Sequence, residues 1–316
     1  MEKRNPREQV KQLTEQLEKG IKDLYTSDKY KEVLLCMSKF HHYSYRNVLL
    51  IKLQDPNASR VAGFNTWKND FERSVMKGET AIKILAPNPY KRMIEYKKLD
   101  PATLNPILDK NGKTVMEKRE EKMMMYKVVS VFDVSQTKGK ELPSLVTPLT
   151  KDVKNYKQFM KALHTVSTVP IIYQDLTGGA NGHYDFVDKE IVVKDGMSES
   201  ATASTTVHEM AHSILHDRNT TKLSDEDLQN RGKYEVEAES VSFVVCNYFG
   251  IKTDEKSFGY VTGWSEGKEL QELKESLDVI QKTSSELIKK IEIEFDKNLD
   301  LQHRKENIKV VDRKGR

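Results

Sequence analysis

The sequence predicts an α+β protein of two domains, and three observations carry that prediction. Its 316 residues exceed an ordinary single domain. Apolar residues recur at helical spacing over most of 5–53 and again over 153–166, 199–215 and 234–249, with short β-type runs set between. One of the helical runs contains His208-Glu209-Met210-Ala211-His212, a pattern whose chemistry is specific. Hydrophobic content of 37% is low and charged content of 32% high, yet enough apolar residues remain for two modest cores. No run of 18 apolar residues occurs, so a membrane span is excluded. The opening MEKRNPREQV lacks the apolar centre of a signal peptide. Two cysteines, Cys36 and Cys246, both in apolar helical contexts, read as buried free thiols rather than a disulfide framework. A cytoplasmic protein is expected.

The first domain is expected over 1–145. Val10, Leu13, Leu17, Ile21 and Leu24, then Val33, Leu34, Met37 and Phe40, recur at helical spacing and predict one or two amphipathic helices. An apolar helix over Asn47 to Leu53 follows, closed by Asp55 and Pro56. Ala58 to Phe71 reads as a further helix or helical turn. Lys77-Gly78-Glu79 turns the chain into a short strand, Ala81 to Leu85, stopped by Pro87 and Pro89. The charged stretch 91–122 reads as a mobile hairpin or insertion. Val128 to Val134 resumes the sheet, and Lys138-Gly139-Lys140 with Pro143 ends the domain, followed by a linker over 144–151. This half is basic: residues 1–145 hold 28 Lys plus Arg against 19 Asp plus Glu, a net +9, while the remainder holds 24 against 29, a net −5. Only the first half is therefore suited to meet a polyanion, although a Lys-rich solvated surface would carry the same charge.

The second domain, 150–300, opens with a helix over Val153 to Val166 and a strand over Ile171 to Tyr173. A glycine-rich turn, Gly178 to Gly182, leads into a hairpin of His183 to Phe186 and Glu190 to Lys194. That turn lacks the Lys-Ser/Thr ending of a phosphate loop. A strand passing a zinc helix can hold an extended peptide by β-addition. Ser198 is the expected N-cap of the motif helix, with Glu199 in its first turn. His208 and His212, four apart, project from one helical face and can hold one Zn²⁺. Glu209 is placed to act as general base on a zinc-bound water, the arrangement of zinc hydrolases. The same letters on an exposed helix face would need no metal. The apolar neighbours Ala203, Val207, Ala211 and Leu215 point instead to burial, where lone His and Glu are costly. Over Tyr234 to Phe249, Glu235 and Glu239 share a face one turn apart. One can be the third ligand and the other can support a ligand histidine. A long helix is expected over about 266–297, after a loop with Gly259, Gly263 and Gly267. Its apolar stripe packs on its own domain or, less simply, in a coiled coil. A basic, disordered tail is expected over 301–316. No internal repeat is present.

At this point the residues carry a resemblance. YSYRNVLLIKLQDP, VAGFNTWKNDFERSVMKGETAIKILAP and YKVVSVFDVSQTKGKELP resemble the N-terminal domain of ArdC-type antirestriction proteins, while the 91–122 insertion has no clear counterpart. GGANGHYDF, HEMAHSILH and YEVEAES resemble the zincin-like metallopeptidase domain joined to it, similar also to ImmA/IrrE-type peptidases. The resemblance implies a first domain binding single-stranded DNA, a zinc-peptidase-like second domain, and a home on conjugative or other mobile elements, protecting incoming DNA from restriction. Carried over from the gluzincin pattern, Glu235 is the third zinc ligand and Glu239 supports a histidine; Glu237 and Glu239 stay open as alternative ligands. Aromatic residues interleaved with basic ones suit stacking on unpaired bases plus phosphate contact. The candidates are Tyr43, Tyr45, Arg46, Phe64, Trp67, Lys68, Lys77 and Lys83, although aromatics such as Phe64 and Trp67 are more often core than surface. His183 or Tyr184 is a candidate to assist an oxyanion. Two rival readings are a DNA-coating protein with a catalytically idle zinc site and a regulatory zinc protease that cleaves a repressor protein.

Overall fold

A computed structural model of the chain describes residues 5–24, 27–142, 153–217, 225–251 and 269–314. The expected linker at 144–151 and the loop glycines Gly259, Gly263 and Gly267 lie outside the described residues. Helices α1 (Pro6–Asp23) and α2 (Ser27–Lys39) occupy the first amphipathic stretch. The Asn5 side chain caps α1 by accepting the Arg7 N–H, and Pro6 sits in the first turn, where its missing N–H costs nothing. Leu13, Leu17, Ile21 and Leu24 are buried, as their spacing predicts. Ser44 caps α3 (Tyr45–Gln54).

The segment read as helical over 58–71 divides into strand β1 (Val61–Gly63) and a short helix, α4 (Phe64–Asn69). Pairing with a distant strand overrides the local spacing here, since Val61 to Gly63 lie against Asp133 to Val131. Strand β2 (Arg73–Val75) pairs with β5 (Thr137–Gly139) after the long hairpin of β3 (Ile82–Lys97) and β4 (Met116–Asp133). The sheet order is β1-β4-β3, so β3 is an edge.

Pro87 and Pro89 do not stop β3. The outward N–H groups of Lys83 and Leu85 are taken by the side-chain amides of Gln54 and Asn47, each at 2.9 Å. Pro87 and Pro89 follow in the same phase, so their missing N–H groups also face away from β4 and no ladder bond is lost. The charged stretch 91–122 is the far end of this hairpin, a two-stranded ribbon that pairs Lys91 with Lys122 and Lys97 with Met116.

In the second half, α5 (Val153–Val166) precedes a three-stranded sheet of β6 (Ile171–Gln174), β7 (Gly182–Asp185) and β8 (Glu190–Lys194). Its order is β6-β8-β7, with β6 parallel and β7 antiparallel to β8. Helices α6 (Glu199–Leu215), α7 (Asp225–Tyr248) and α8 (Leu270–Lys314) complete the chain. The last helix continues beyond its expected end near 297, so the tail is helical through Lys314. No Gly or Pro interrupts it before Gly315.

One hydrophobic core contains residues of both halves, including Leu34, Met37 and Ile51 with Val244, Leu277 and Ile280. Helix α2 lies on α7, and α1 and α3 lie on α8. Polar contacts stitch the same seam. The Tyr30 and Ser240 hydroxyls meet at 2.8 Å, and Ser38 Oγ donates to Asn247 Oδ1 at 2.8 Å. Gln281 Nε2 donates to the Tyr43 carbonyl at 2.9 Å, with the Phe40 and His41 carbonyls at 3.3 Å. Cys36 and Cys246 are buried free thiols. No helix among the described residues is long and apolar enough to cross a membrane.

Candidate metal centre

Helix α6 begins where the sequence says it should: the Ser198 side chain accepts the Ala201 N–H, and Glu199 lies in the first turn, favoured by the helix dipole. It packs along α7. Small or β-branched residues on both helices, Ala203, Val207 and Ala211 with Ala238 and Val241, are fully buried, and Ser242 Oγ donates to the Ser204 carbonyl at 2.9 Å. Close approach of the two helices brings His208 Nε2 and His212 Nε2 to 3.0 Å of each other, with Glu235 Oε2 at 3.6 and 3.7 Å from them. All three ligand-type atoms lie within 4.8 Å of one another. Ligands bound tetrahedrally to zinc at its usual bond lengths are about 3.3 Å apart. The donor set, two imidazoles and a carboxylate, therefore matches a small divalent cation in both chemistry and spacing.

The neighbouring acids take separate roles. Glu239 Oε2 lies 3.2 Å from His208 Nδ1, an ion-pair approach that is not aligned as a hydrogen bond. Glu237 is buried and turned away from His208 and His212 toward His216, whose Nε2 is 3.3 Å from its carboxylate. His216 was not singled out by the sequence reading, although its signal was present: 208, 212 and 216 form one stripe at four-residue spacing. His212 Nδ1 meets His216 Nδ1 at 3.0 Å, and the His216 ring stacks on Tyr234 with centroids 4.3 Å apart. If His212 Nε2 serves as a ligand, its proton resides on Nδ1. His212 then donates to His216 and His216 to Glu237, so one chain of bonds assigns both tautomers.

The electrostatics favour a positive charge between the helices. Burial pulls the His208 imidazole down, but Glu235 and Glu239 reverse this and raise it to about 10. His212, also buried and beside two other imidazoles, stays below its ordinary value. Contacts with His208 and His212 hold Glu235 far below the usual carboxylate range. Glu209 behaves oppositely: burial pushes it up to about 7, against the lowering effect of His208.

Strand β7 passes beside Glu209. A Cβ on Gly182 would lie 2.7 Å from Thr205 Cγ2, 2.9 Å from the Val192 carbonyl oxygen and 3.3 Å from Glu209 Cγ, so only glycine permits this approach. Tyr184, in the same phase as Gly182, packs against the core, and its hydroxyl donates to Asp217 at 2.7 Å. Burial, then Asp217, raises that phenol to about 12. His183 is exposed on the alternate face.

The residues selected for nucleic-acid contact fall in separate places. Tyr43, Tyr45 and Arg46 line a cleft of about 600 Å³ between α3, Tyr126 of β4 and Lys274 and Lys282 of α8. Tyr45 is buried, its hydroxyl accepting from Arg46 Nε at 3.3 Å, and Tyr43 donates to the Val61 carbonyl at 3.0 Å. Trp67 requires correction: it is 0% exposed, and its indole N–H donates to the Phe132 carbonyl at 2.8 Å, so the ring is core and offers no stacking face. Phe64 is exposed on α4. Lys68 and Lys77 are exposed, and Lys83 donates to Ser130 Oγ at 2.7 Å.

The two halves of the chain match two separate family models. Residues 4–132 match the N-terminal domain of anti-restriction factor ArdC, and residues 166–254 match the IrrE N-terminal-like domain, a peptidase family model. An uncharacterized protein of Bacillus anthracis is 28% identical over 317 residues, covering 90% of this chain and 52% of the relative. The chain thus spans about half the length of the curated relative it matches. The metal-free crystal structure of antirestriction protein ArdC from plasmid R388 aligns with TM-score 0.49 and 17% identity, over 80% of this chain and 85% of that one. The Mn(II)-bound structure of the same protein aligns with TM-score 0.45 and 16% identity over the same shares. The chain therefore joins an ArdC-type N-terminal domain to an IrrE-like domain of the peptidase type.

Proposed function

We propose that the chain is an antirestriction-type protein of a mobile element that binds single-stranded DNA through its first half and hydrolyses amide bonds at a zinc centre in its second. The observation that carries the reading is the convergence of His208 Nε2, His212 Nε2 and Glu235 Oε2 beside a buried Glu209. His208, His212 and Glu235 would hold the ion; Glu239 and the His216–Glu237 pair fix the orientation of the two rings. A divalent cation bound there supplies a Lewis acid for an amide carbonyl and acidifies water. Glu209, buried beside the ligand His208, takes a proton from the attacking water and returns it to the leaving amine. Strand β7 is an edge of its sheet, and an extended peptide laid along it would pass this carboxylate. Of the two oxyanion candidates, the Tyr184 hydroxyl is already donating to Asp217 and His183 is exposed on the alternate face, so neither takes a role in this reading.

The DNA half of the reading is supported by the ArdC-type domain, the basic first half and the cleft holding Tyr43, Arg46 and Tyr126. Metal analysis of the purified full chain tests the centre. About one zinc per chain is expected, lost in His208→Ala, His212→Ala and Glu235→Ala. In Glu209→Gln the zinc stays and peptide hydrolysis stops. A zinc-free wild-type chain under zinc-replete conditions overturns the reading. If Glu209→Gln still protects DNA from restriction, hydrolysis is not the protective step. Binding of an unpaired oligonucleotide by the full chain, weakening steeply with salt, tests the first half.

A further inference from the structure

The ribbon formed by the ends of β3 and β4 has no assigned role, and its charges are arranged asymmetrically. Between Lys91 and Lys122 it carries nine Lys plus Arg and six Asp plus Glu. Every one of the six carboxylates is satisfied within the ribbon. Glu120 faces Lys91 at 2.6 Å and Glu95 faces Lys118 at 3.5 Å. Glu117 accepts from Arg119 and Glu121 from the Tyr96 hydroxyl. Asp100 accepts the N–H groups of Ala102 and Thr103, and Asp109 those of Asn111 and Lys113, each at 3.0 Å or less. The six remaining cations, Arg92, Lys97, Lys98, Lys110, Lys113 and Lys122, have no carboxylate partner among the described residues. With nine cations against six carboxylates, the ribbon therefore carries a net charge of +3, and its unpaired side chains are mostly cationic.

Most of the apolar exposure lies on one side; Tyr90, 38% exposed, is on the other. Residues directly opposite across the ladder share a face. Register places Met93, Met116, Met124 and Tyr126 on the face that also carries Lys91, Lys97 and Lys122. These four apolar side chains are all exposed, Met124 by 60%. The face runs directly into the cleft beside Arg46, since Tyr126 lines both. At the tip, between Pro101 and Pro106, Leu104 is 71% exposed and held at φ 57, a left-handed backbone that a leucine adopts only at a cost.

We infer that this ribbon is a docking arm for duplex DNA. The inference rests on the reading of residues 4–132 as a DNA-binding domain and extends it to a second form of the same polymer. A two-stranded ribbon fits the major groove, and at about 3.4 Å per residue the paired arm from Lys91 to Lys97 extends about 24 Å before the tip, most of one duplex turn. Unpaired strands are held by stacking on exposed rings. Beyond Tyr90 the ribbon lacks such a platform, because its remaining aromatic ring, Tyr96, is covered by the Arg119 guanidinium and tied to Glu121. Lysines and flexible methionines suit phosphates and a groove instead, and a leucine tip between prolines suits a wedge at a base step. The chain would then grip a junction, with the unpaired strand in the cleft and the paired region along the arm.

The test uses the full chain, wild type and a variant combining Lys97→Glu, Lys98→Glu, Lys113→Glu and Lys122→Glu. Binding is measured to an unpaired oligonucleotide, to the same sequence as a blunt duplex, and to phosphatidylcholine vesicles with and without phosphatidylglycerol. All four positions are exposed, so an unchanged melting temperature certifies the fold. The expected result is duplex affinity lowered by roughly tenfold or more, with a salt slope shallower by about 3, and unpaired-strand affinity within about twofold. Wild type that ignores duplex, a variant that binds duplex as well as wild type, or a loss seen only on anionic vesicles overturns the inference. Failure of wild type to bind the unpaired strand while duplex binding persists removes the single-strand reading and leaves this one standing.

Discussion

At the residue scale the informative groups are the ones that hold other groups in place. His216 touches no candidate ligand atom of the centre, yet its Nδ1 decides which nitrogen of His212 carries the proton. His216→Phe keeps a ring against Tyr234 but removes that acceptor. Zinc affinity is expected to fall by about 10- to 100-fold, measured by competition with a chromophoric chelator, and the metal-free protein should lose about 1–3 kcal/mol because buried Glu237 is left without its histidine. Asp133 does similar work in the other half. It is buried, and its carboxylate accepts the N–H groups of Ser59, Arg60 and Ser135 at 2.7–3.0 Å. Burial raises its pKa, the three N–H groups outweigh that, and the net shift is downward. A carboxyl with a depressed folded pKa contributes stability that is complete above its unfolded value and lost as pH falls through the folded one. Asp133→Asn should cost about 1–3 kcal/mol at pH 7, and the difference from wild type should shrink in denaturation curves taken below about pH 4.

At the scale of elements, Gly182 is where strand and helix meet most tightly. Gly182→Ala is expected to push β7 off α6 by a few tenths of an ångström, lowering stability by about 1–3 kcal/mol and hydrolytic activity by more than stability alone accounts for, read as kcat at a temperature where both proteins are folded. Strongly periodic elements were legible: α5 starts and stops at the expected residues, and Ser198 caps α6 as its position before an apolar run indicates. The convergence of His208 with His212 was legible for the same reason, because four-residue spacing on a helix determines direction. Elements whose identity depends on a distant partner were not. β1 looks helical until Val131 to Asp133 lie beside it, and the two prolines of β3 read as a stop until Gln54 and Asn47 reveal which way that edge faces. Trp67 could not be separated from an exposed ring by sequence, since burial is decided by what packs over it.

At the scale of the whole molecule, the seam between the halves is a wall of core rather than a hinge. Gln281 spans it, offering two N–H bonds to three backbone carbonyls. Gln281→Ala leaves those carbonyls short of a donor and should cost about 1–3 kcal/mol, with both halves still unfolding in one transition followed by far-ultraviolet and tryptophan signals. His41 lies in the same seam, 3% exposed, against His42 and Tyr248, with Lys289 and Glu292 nearby. Burial, then His42, pulls its pKa down to about 4. The unfolded chain therefore takes up that proton first as pH falls. Stability attributable to His41 is intact above about pH 6.5 and is lost as pH drops through about 4, and His41→Phe should flatten that part of the profile.

Because hydrophobic burial and side-chain bonds, not covalent continuity, join the two portions, severing the polypeptide between residues 142 and 153 should yield fragments that co-purify and refold only as a pair. Neither piece expressed by itself would present a water-compatible surface, so such a protein tolerates a nick far better than it tolerates a truncation.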